Sequence, residues 1–313
     1  MRYCASGNSN EEDRRPSARS FGPTVLLISF VIPNSNMIRL RLRQRRLRFL
    51  ITNLTTSHEA EHLSLTVRQA SMNRSVAAAR TIFVRRGGIP SPTTNAPASS
   101  FSAVARRCFG ASTSSESLVK TSLNELHREL GGDMVSFAGY ELPVLYKMGD
   151  NSGVMKEHLW CRSLGKASLF DVSHMGQIQW HGKDRAKFLE TVVVGDIQGL
   201  DVGSGCLSLV TNATGGIIDD TVITNAGDYI YMVVNGATKF DDMKHFQEQM
   251  SNFNGDVSME YLGDDMQLLA IQGPGAADAV TKILPSGFDL TKMAFMTGVE
   301  TTLDGVDGCR VTR

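Results

Sequence analysis

The stretch from Leu207 to Val234 constrains the fold most, because three apolar runs are separated by two short turns. Leu207 to Val210 is followed by Asn212-Ala213-Thr214-Gly215-Gly216, and Ile217 to Thr224 by Asn225-Ala226-Gly227-Asp228; Tyr229 to Val234 closes the set. Gly, Asn and Asp supply the backbone freedom and local hydrogen bonds of tight turns. Runs joined so closely pair antiparallel, whereas parallel pairing needs a crossover of about a dozen residues or more. Neither Gly203-Ser204-Gly205 nor Gly273-Pro274-Gly275 completes the GxGxxG spacing, so a dinucleotide site is rejected.

The flanks alternate helices and strands. Ser122 and Glu125 have capping-box spacing ahead of an apolar stripe of Leu123, Leu126 and Leu130, which predicts a helix ended by Gly131-Gly132. Met134 to Phe137 reads as a short strand or turn, Val154 to Leu164 as a helix, Gln177 to Trp180 as a strand and Asp184 to Val193 as a helix. Phe240, Met243, Phe246 and Met250 mark an amphipathic helix. Strands are expected at Val257 to Tyr261 and Gln267 to Gln272, then a helix around Ala276 to Ile283. Val299 to Leu303 pairs with Cys309 to Thr312 across a turn. This pattern predicts an α+β fold of antiparallel sheets with flanking helices.

Charge divides the chain. Residues 1–115 hold 17 Arg, no Lys and 5 acidic side chains, a net +12; the remaining 15 basic and 27 acidic residues give 116–313 a net −12. Residues 72–115 begin with Met, contain no Asp or Glu, and scatter Arg among Ala, Ser and Thr, the composition of an organellar transit peptide. Arg106-Arg107-Cys108-Phe109 reads as its processing site. Residues 1–71 are expected to be a disordered extension, or mis-predicted coding sequence upstream of a true start at Met72. Their Arg39 to Arg48 patch could contact phosphates, although no nucleic-acid partner is assigned. His58-Glu59-Ala60-Glu61-His62 matches HExxH but follows a poor helix former and has no third ligand, so no metal is assigned. Five dispersed cysteines suggest neither a disulfide framework nor a thiolate site. The longest apolar run, Val25 to Ile32 interrupted by Ser29, is too short to span a bilayer, and no membrane partner is assigned.

Chemistry is expected around Gly215-Gly216-Ile217-Ile218-Asp219-Asp220. The diglycine lets the backbone turn tightly or approach a ligand. The two carboxylates point to opposite faces of the following strand, so one can face a cavity and the other solvent. An ordinary exposed turn satisfies the same spacing. Asn235, at the end of the next strand, can donate and accept at once, as the edge of a heterocycle requires, or simply end the strand. His174 is a candidate base or a structural histidine, and Met175 reads as packing.

Met134 to Pro143 (MVSFAGYELP), Ser168 to Met175 (SLFDVSHM), Val194-Gly195-Asp196, Thr211 to Asp220 (TNATGGIIDD), Val233-Val234-Asn235, Ile271 to Pro274 (IQGP), Phe295-Met296-Thr297 and Gly308 to Arg313 (GCRVTR) occur in this order. Over about residues 120–313 the set resembles the aminomethyltransferase, or T-protein, family of the glycine cleavage system. The resemblance implies a cloverleaf of three domains around a folate channel. It implies transfer of a methylene carbon from the aminomethyl-lipoyl arm of the H-protein to tetrahydrofolate, with release of ammonia. Asp220 stands at the position of the family's key acid, beside the reactive folate nitrogens, and Met175, Leu207 and Asn235 at positions that line the folate pocket. Tetrahydrofolate is then a co-substrate, the H-protein a partner, the mitochondrial matrix the compartment, and a monomer is expected.

Two departures qualify the resemblance. Tyr140 stands where Trp is common, and Leu207 where relatives vary to Tyr. Family members also continue past Arg313 into a segment like CGYTGEDGFE, then a further Arg and a third domain. A C-terminally truncated precursor, missing that domain and impaired in folate binding and turnover, is therefore expected. Competing readings are a folate-binding iron–sulfur cluster assembly factor, the folate domain of a dimethylglycine or sarcosine dehydrogenase, and a non-catalytic truncated product.

Overall fold

The computed structural model describes residues 24–31, 64–65, 117–147, 153–263 and 266–313. Among these residues the strands form three sheets. The run between Leu207 and Val234 builds the centre of a five-stranded sheet: β8 (Gly205–Thr211), β9 (Ile217–Asn225) and β10 (Ile230–Val234) are consecutive antiparallel neighbours. β7 (Gly176–His181) and β11 (Ser258–Tyr261) extend it in the order β11-β7-β10-β9-β8. The turn chemistry expected from the sequence sets this register.

A second, six-stranded sheet has the order β13-β14-β1-β12-β6-β2. It contains β12 (Met266–Gly273), β6 (Ser168–Asp171), the two-residue β2 (Ser64–Leu65) and the hairpin of β13 (Gly298–Leu303) with β14 (Val306–Thr312). β1 (Thr24–Val31) lies between β12 and β14 and pairs antiparallel with both. These eight residues, within the extension expected to be disordered or mis-predicted, form a paired strand in the structure. They take in all but the last residue of the longest apolar run, Val25 to Ile32, and Leu26 and Ile28 are 1% and 0% exposed. The Arg39–Arg48 patch, the HExxH match and the expected transit peptide lie outside the described residues.

A small third sheet joins β3 (Val119–Lys120), β5 (Tyr140–Tyr146) and β4 (Gly132–Phe137). Helix α1 (Asn124–Glu129) precedes it without the expected capping box: Leu123 occupies the cap position, and the Ser122 N–H donates to Gln267 Oε1. The backbone at Ser122 is thereby tied to β12 of the six-stranded sheet. Helix α2 (Val154–Arg162) ends two residues before the expected Leu164, α3 (Arg185–Leu189) is about half its expected length, and α4 (Lys239–Ser251) and α5 (Ala276–Thr281) follow.

Helices cover the outer face of each large sheet. Leu123, Ala276, Val280 and Ile283 pack on Leu269, Ile271, Ile28 and Val311 of the six-stranded sheet. Phe188, Met243 and Phe246 pack on Ile178, Trp180, Ile223 and Met232 of the five-stranded one. Phe240, expected on that stripe, is instead 68% exposed. Between the sheets lies a smaller apolar cluster of Tyr231, Val233 and Leu268, edged by Val172, Met175, Tyr229 and Leu262. Burying both faces of a sheet leaves its strands almost wholly apolar, as the five buried residues of β10 show.

Candidate functional site

The site begins at the turn between β8 and β9. Asn212 Oδ1 accepts from the Thr214 N–H at 3.0 Å, the Thr214 hydroxyl at 2.8 Å and the Gly216 N–H at 2.8 Å. Gly215 has φ 79°, a conformation that side chains resist. Together they deliver Asp219 and Asp220 into the strand, each only 8% exposed.

The two acids take opposite faces, as alternation requires. Asp220 shares a face with Val222, whose partner Val233 belongs to the cluster between the sheets. Asp219 shares a face with Ile223, on the side covered by α4. The expectation that one acid faces solvent fails, because α4 roofs Asp219. Thr238, at the start of that helix, donates to Asp219 Oδ2 at 3.0 Å, and the Asn235 backbone N–H donates to the same oxygen at 3.0 Å.

Asn235 leaves the end of β10 and joins the two acids across the strand. Its Nδ2 donates to Asp219 Oδ1 at 2.7 Å and to Asp220 Oδ1 at 2.8 Å. That orientation leaves the amide oxygen as the atom for a ligand's N–H. Asp220 Oδ2 is buried and has no hydrogen-bond partner. A buried, unsatisfied carboxylate oxygen is costly and marks where a donor or a proton would be received.

Leu207 lies across from Val222 in the β8–β9 register, on the Asp220 face, and is 51% exposed. Met175 packs at the edge of the cluster between the sheets, where its N–H donates to Val172 O. Asp220, Asn235 and Leu207 thus come from one sheet, and Met175 from the connection entering β7.

His174, the candidate base, is 8% exposed and stands against Phe137 and Tyr140. Burial pushes its pKa down to about 4, helped by the Lys239 ammonium and opposed by Asp171. It is therefore neutral near pH 7. Lys239 itself is 1% exposed; its Nζ donates to the Tyr140 hydroxyl at 2.8 Å and to His174 O at 3.1 Å, and lies 4.6 Å from the Tyr140 ring centre. Sequence reading missed Lys239, Thr238 and Asp242. A lysine and an aspartate near the start of an amphipathic helix read as solvent-facing.

The chain's likeness to known proteins follows the same residues. The model of the family described as "GCVT N-terminal domain" matches residues 123–313. The chain is 50% identical over 205 residues to a mitochondrial aminomethyltransferase of Dictyostelium discoideum, covering 64% of this chain and 49% of that protein. It is 44% identical over 215 residues to the one of Gallus gallus, covering 67% and 52%. The crystal structure of the glycine cleavage system aminomethyltransferase T of Bartonella henselae superposes with a TM-score of 0.53 at 30% identity, covering 62% of this chain and 53% of that one. The chain spans about half the length of these curated relatives. A diglycine turn delivering paired acids to an asparagine between two sheets thus sits inside a matched region that takes in more than half of the residues, and the chain belongs to the GCVT N-terminal domain family.

Proposed function

We propose that this chain carries the folate-side half of an aminomethyl transfer: passage of a methylene carbon from the aminomethyl-lipoyl arm of an H-protein to tetrahydrofolate, with release of ammonia. One observation carries the reading. Asp220 has one oxygen fixed by Asn235 and the other buried without a partner. The free oxygen would support and exchange the proton of a folate nitrogen as it attacks the aminomethyl carbon. The Asn235 amide oxygen would accept from the pteridine, and Leu207 and Met175 would supply apolar surface beside it. The mitochondrial names of the relatives support a mitochondrial location, and the matrix is the compartment we assign.

The test is tetrahydrofolate-dependent ammonia release from aminomethylated H-protein by the whole chain, together with a tetrahydrofolate titration. Asp220→Asn should lower turnover about 10²-fold or more while changing folate affinity far less. Equal turnover by both proteins would refute the assignment of Asp220.

A further inference from the structure

Beneath the paired acids lies a third carboxyl that the proposed reaction does not use. Asp242, one turn into α4, is 0% exposed, and neither of its oxygens has a partner in full hydrogen-bonding geometry. It faces Asp219 from the helix side, while Thr238, one turn back, holds Asp219 Oδ2. The charges that act on it are those of Asp219 on β9 and Asp241 on its own helix, both negative. Among the described residues the buried ammonium of Lys239 points to the Tyr140 hydroxyl and the His174 carbonyl. His174, on the β6–β7 connection, is neutral near pH 7. The carboxyls of Asp219, Asp220 and Asp242 are not arranged to hold a metal ion together. Two close, buried carboxyls with no cation between them do not both ionise; one keeps a proton.

We propose that Asp242 is a positioning residue: it holds a proton toward Asp219 and thereby keeps the Asp219 carboxylate where it orients the Asn235 amide. The chain of contacts is continuous. Asp242 sets Asp219, Asp219 takes both the N–H and the Nδ2 of Asn235, and the same Nδ2 sets Asp220. Removing the proton puts a second negative charge under Asp219. The carboxylates separate, the amide loses its anchor, and the ligand-facing oxygens of Asn235 and Asp220 are released. Burial and the negative charge of Asp219 raise the Asp242 pKa to about 8, with Thr238 opposing and Asp241 adding. The switch therefore falls in the alkaline range. The folded state binds this proton more tightly than the unfolded one, whose Asp titrates near about 3.9. Stability is therefore full at low pH and declines as pH rises toward the folded value.

The role at Asn235 rests on the folate reading; the proton does not. Asp242→Asn imitates the protonated acid, since its amide can donate to Asp219. Infrared spectra of the full chain with ¹³C-labelled Asp should show a protonated carboxyl band at pH 6 that disappears toward pH 9 and is missing in Asp242→Asn. The difference in melting temperature between wild type and Asp242→Asn should change by about 3 °C or more across that range. Wild-type affinity for tetrahydrofolate should fall about tenfold from pH 7 to pH 9, while Asp242→Asn should bind as the wild type does at pH 7 and stay level. A missing band at pH 6, or identical pH dependence in both proteins, overturns the proposal. If the band and the melting difference appear but no folate binds at any pH, the protonated acid stands and the folate reading falls.

Discussion

Asp171 shows how a fully buried carboxylate is kept ionised in this chain. Burial alone would raise its pKa, but His127, bonded to Oδ2 at 3.0 Å, the Ser173 N–H at 3.0 Å and the Thr121 hydroxyl at 2.7 Å reverse the balance and lower it. His127 in turn meets the Tyr146 hydroxyl at 2.7 Å. A lowered carboxylate pKa contributes stability above the unfolded value of about 3.9, and that stability is lost as pH falls through the folded value. Urea midpoints should therefore drop steeply on acidification below about pH 4. Asp171→Asn should remove most of that slope and cost about 3 kcal/mol at pH 7, as breaking one side of a buried pair does. A parallel acid limb in the variant would refute it. Sequence reading placed Asp171 only as part of a family motif, because its side-chain partners His127 and Thr121 lie 44 and 50 positions away and carry no shared local pattern. The placement of Asp220 in the first half of β9 and of Asn235 just past β10 was legible, since the turn chemistry that sets both strands is written in adjacent residues. Asp219 was half legible: alternation gave its face, but the helix that covers that face is a tertiary fact.

Strand pairing was legible in the sequence only where the partners are joined by a short turn. β8, β9 and β10 follow from two turns, whereas β1 has no local partner and its apolar run fits a buried strand or a short core helix segment equally well. The connections matter as much as the strands. Gly236, following Asn235, lets the β10–α4 connection lie against the β6–β7 connection; a Cβ there would come within 2.5 Å of His174 Cδ2 and 2.8 Å of its carbonyl oxygen. The carbonyl belongs to backbone and cannot swing aside. Gly236→Ala should thus destabilise by about 1–3 kcal/mol and weaken tetrahydrofolate binding by displacing Asn235. Unchanged urea midpoint and affinity would show that the two connections can separate freely. Phe240 went astray for a related reason: α4 turns Met243 and Phe246 to the sheet, and a residue in its first turn lies off the stripe once Lys239 takes the buried position.

At the level of the whole molecule, three sheets are stitched by contacts distant in sequence. The proposed site depends on that stitching, since Met175 and the Val233 that pairs with Val222 on the Asp220 face both belong to the cluster between the two large sheets. β1 offers the plainest test. It hydrogen-bonds on both edges and buries Leu26 and Ile28, at roughly 2 kcal/mol or more each. A protease site engineered between residues 66 and 116 should yield two fragments that co-elute in native size-exclusion chromatography and separate only in denaturant. Fragments that part without denaturant would show that β1 adds little to the sheet. The same experiment bears on the leader expected at 72–115, because cutting there would leave β1 attached by hydrogen bonds and apolar packing, with no covalent link.

A central strand taken from residues 24–31 also fixes the timing of assembly. During synthesis it leaves the ribosome long before β12 and β14 exist. Its apolar side chains must wait until β12 and β14 have been translated, within reach of chaperones and other nascent chains, and the sheet can close only once those strands emerge. Slowing elongation within the codons for β12 to β14 should therefore harm the yield of soluble protein more than an equal delay ahead of β1.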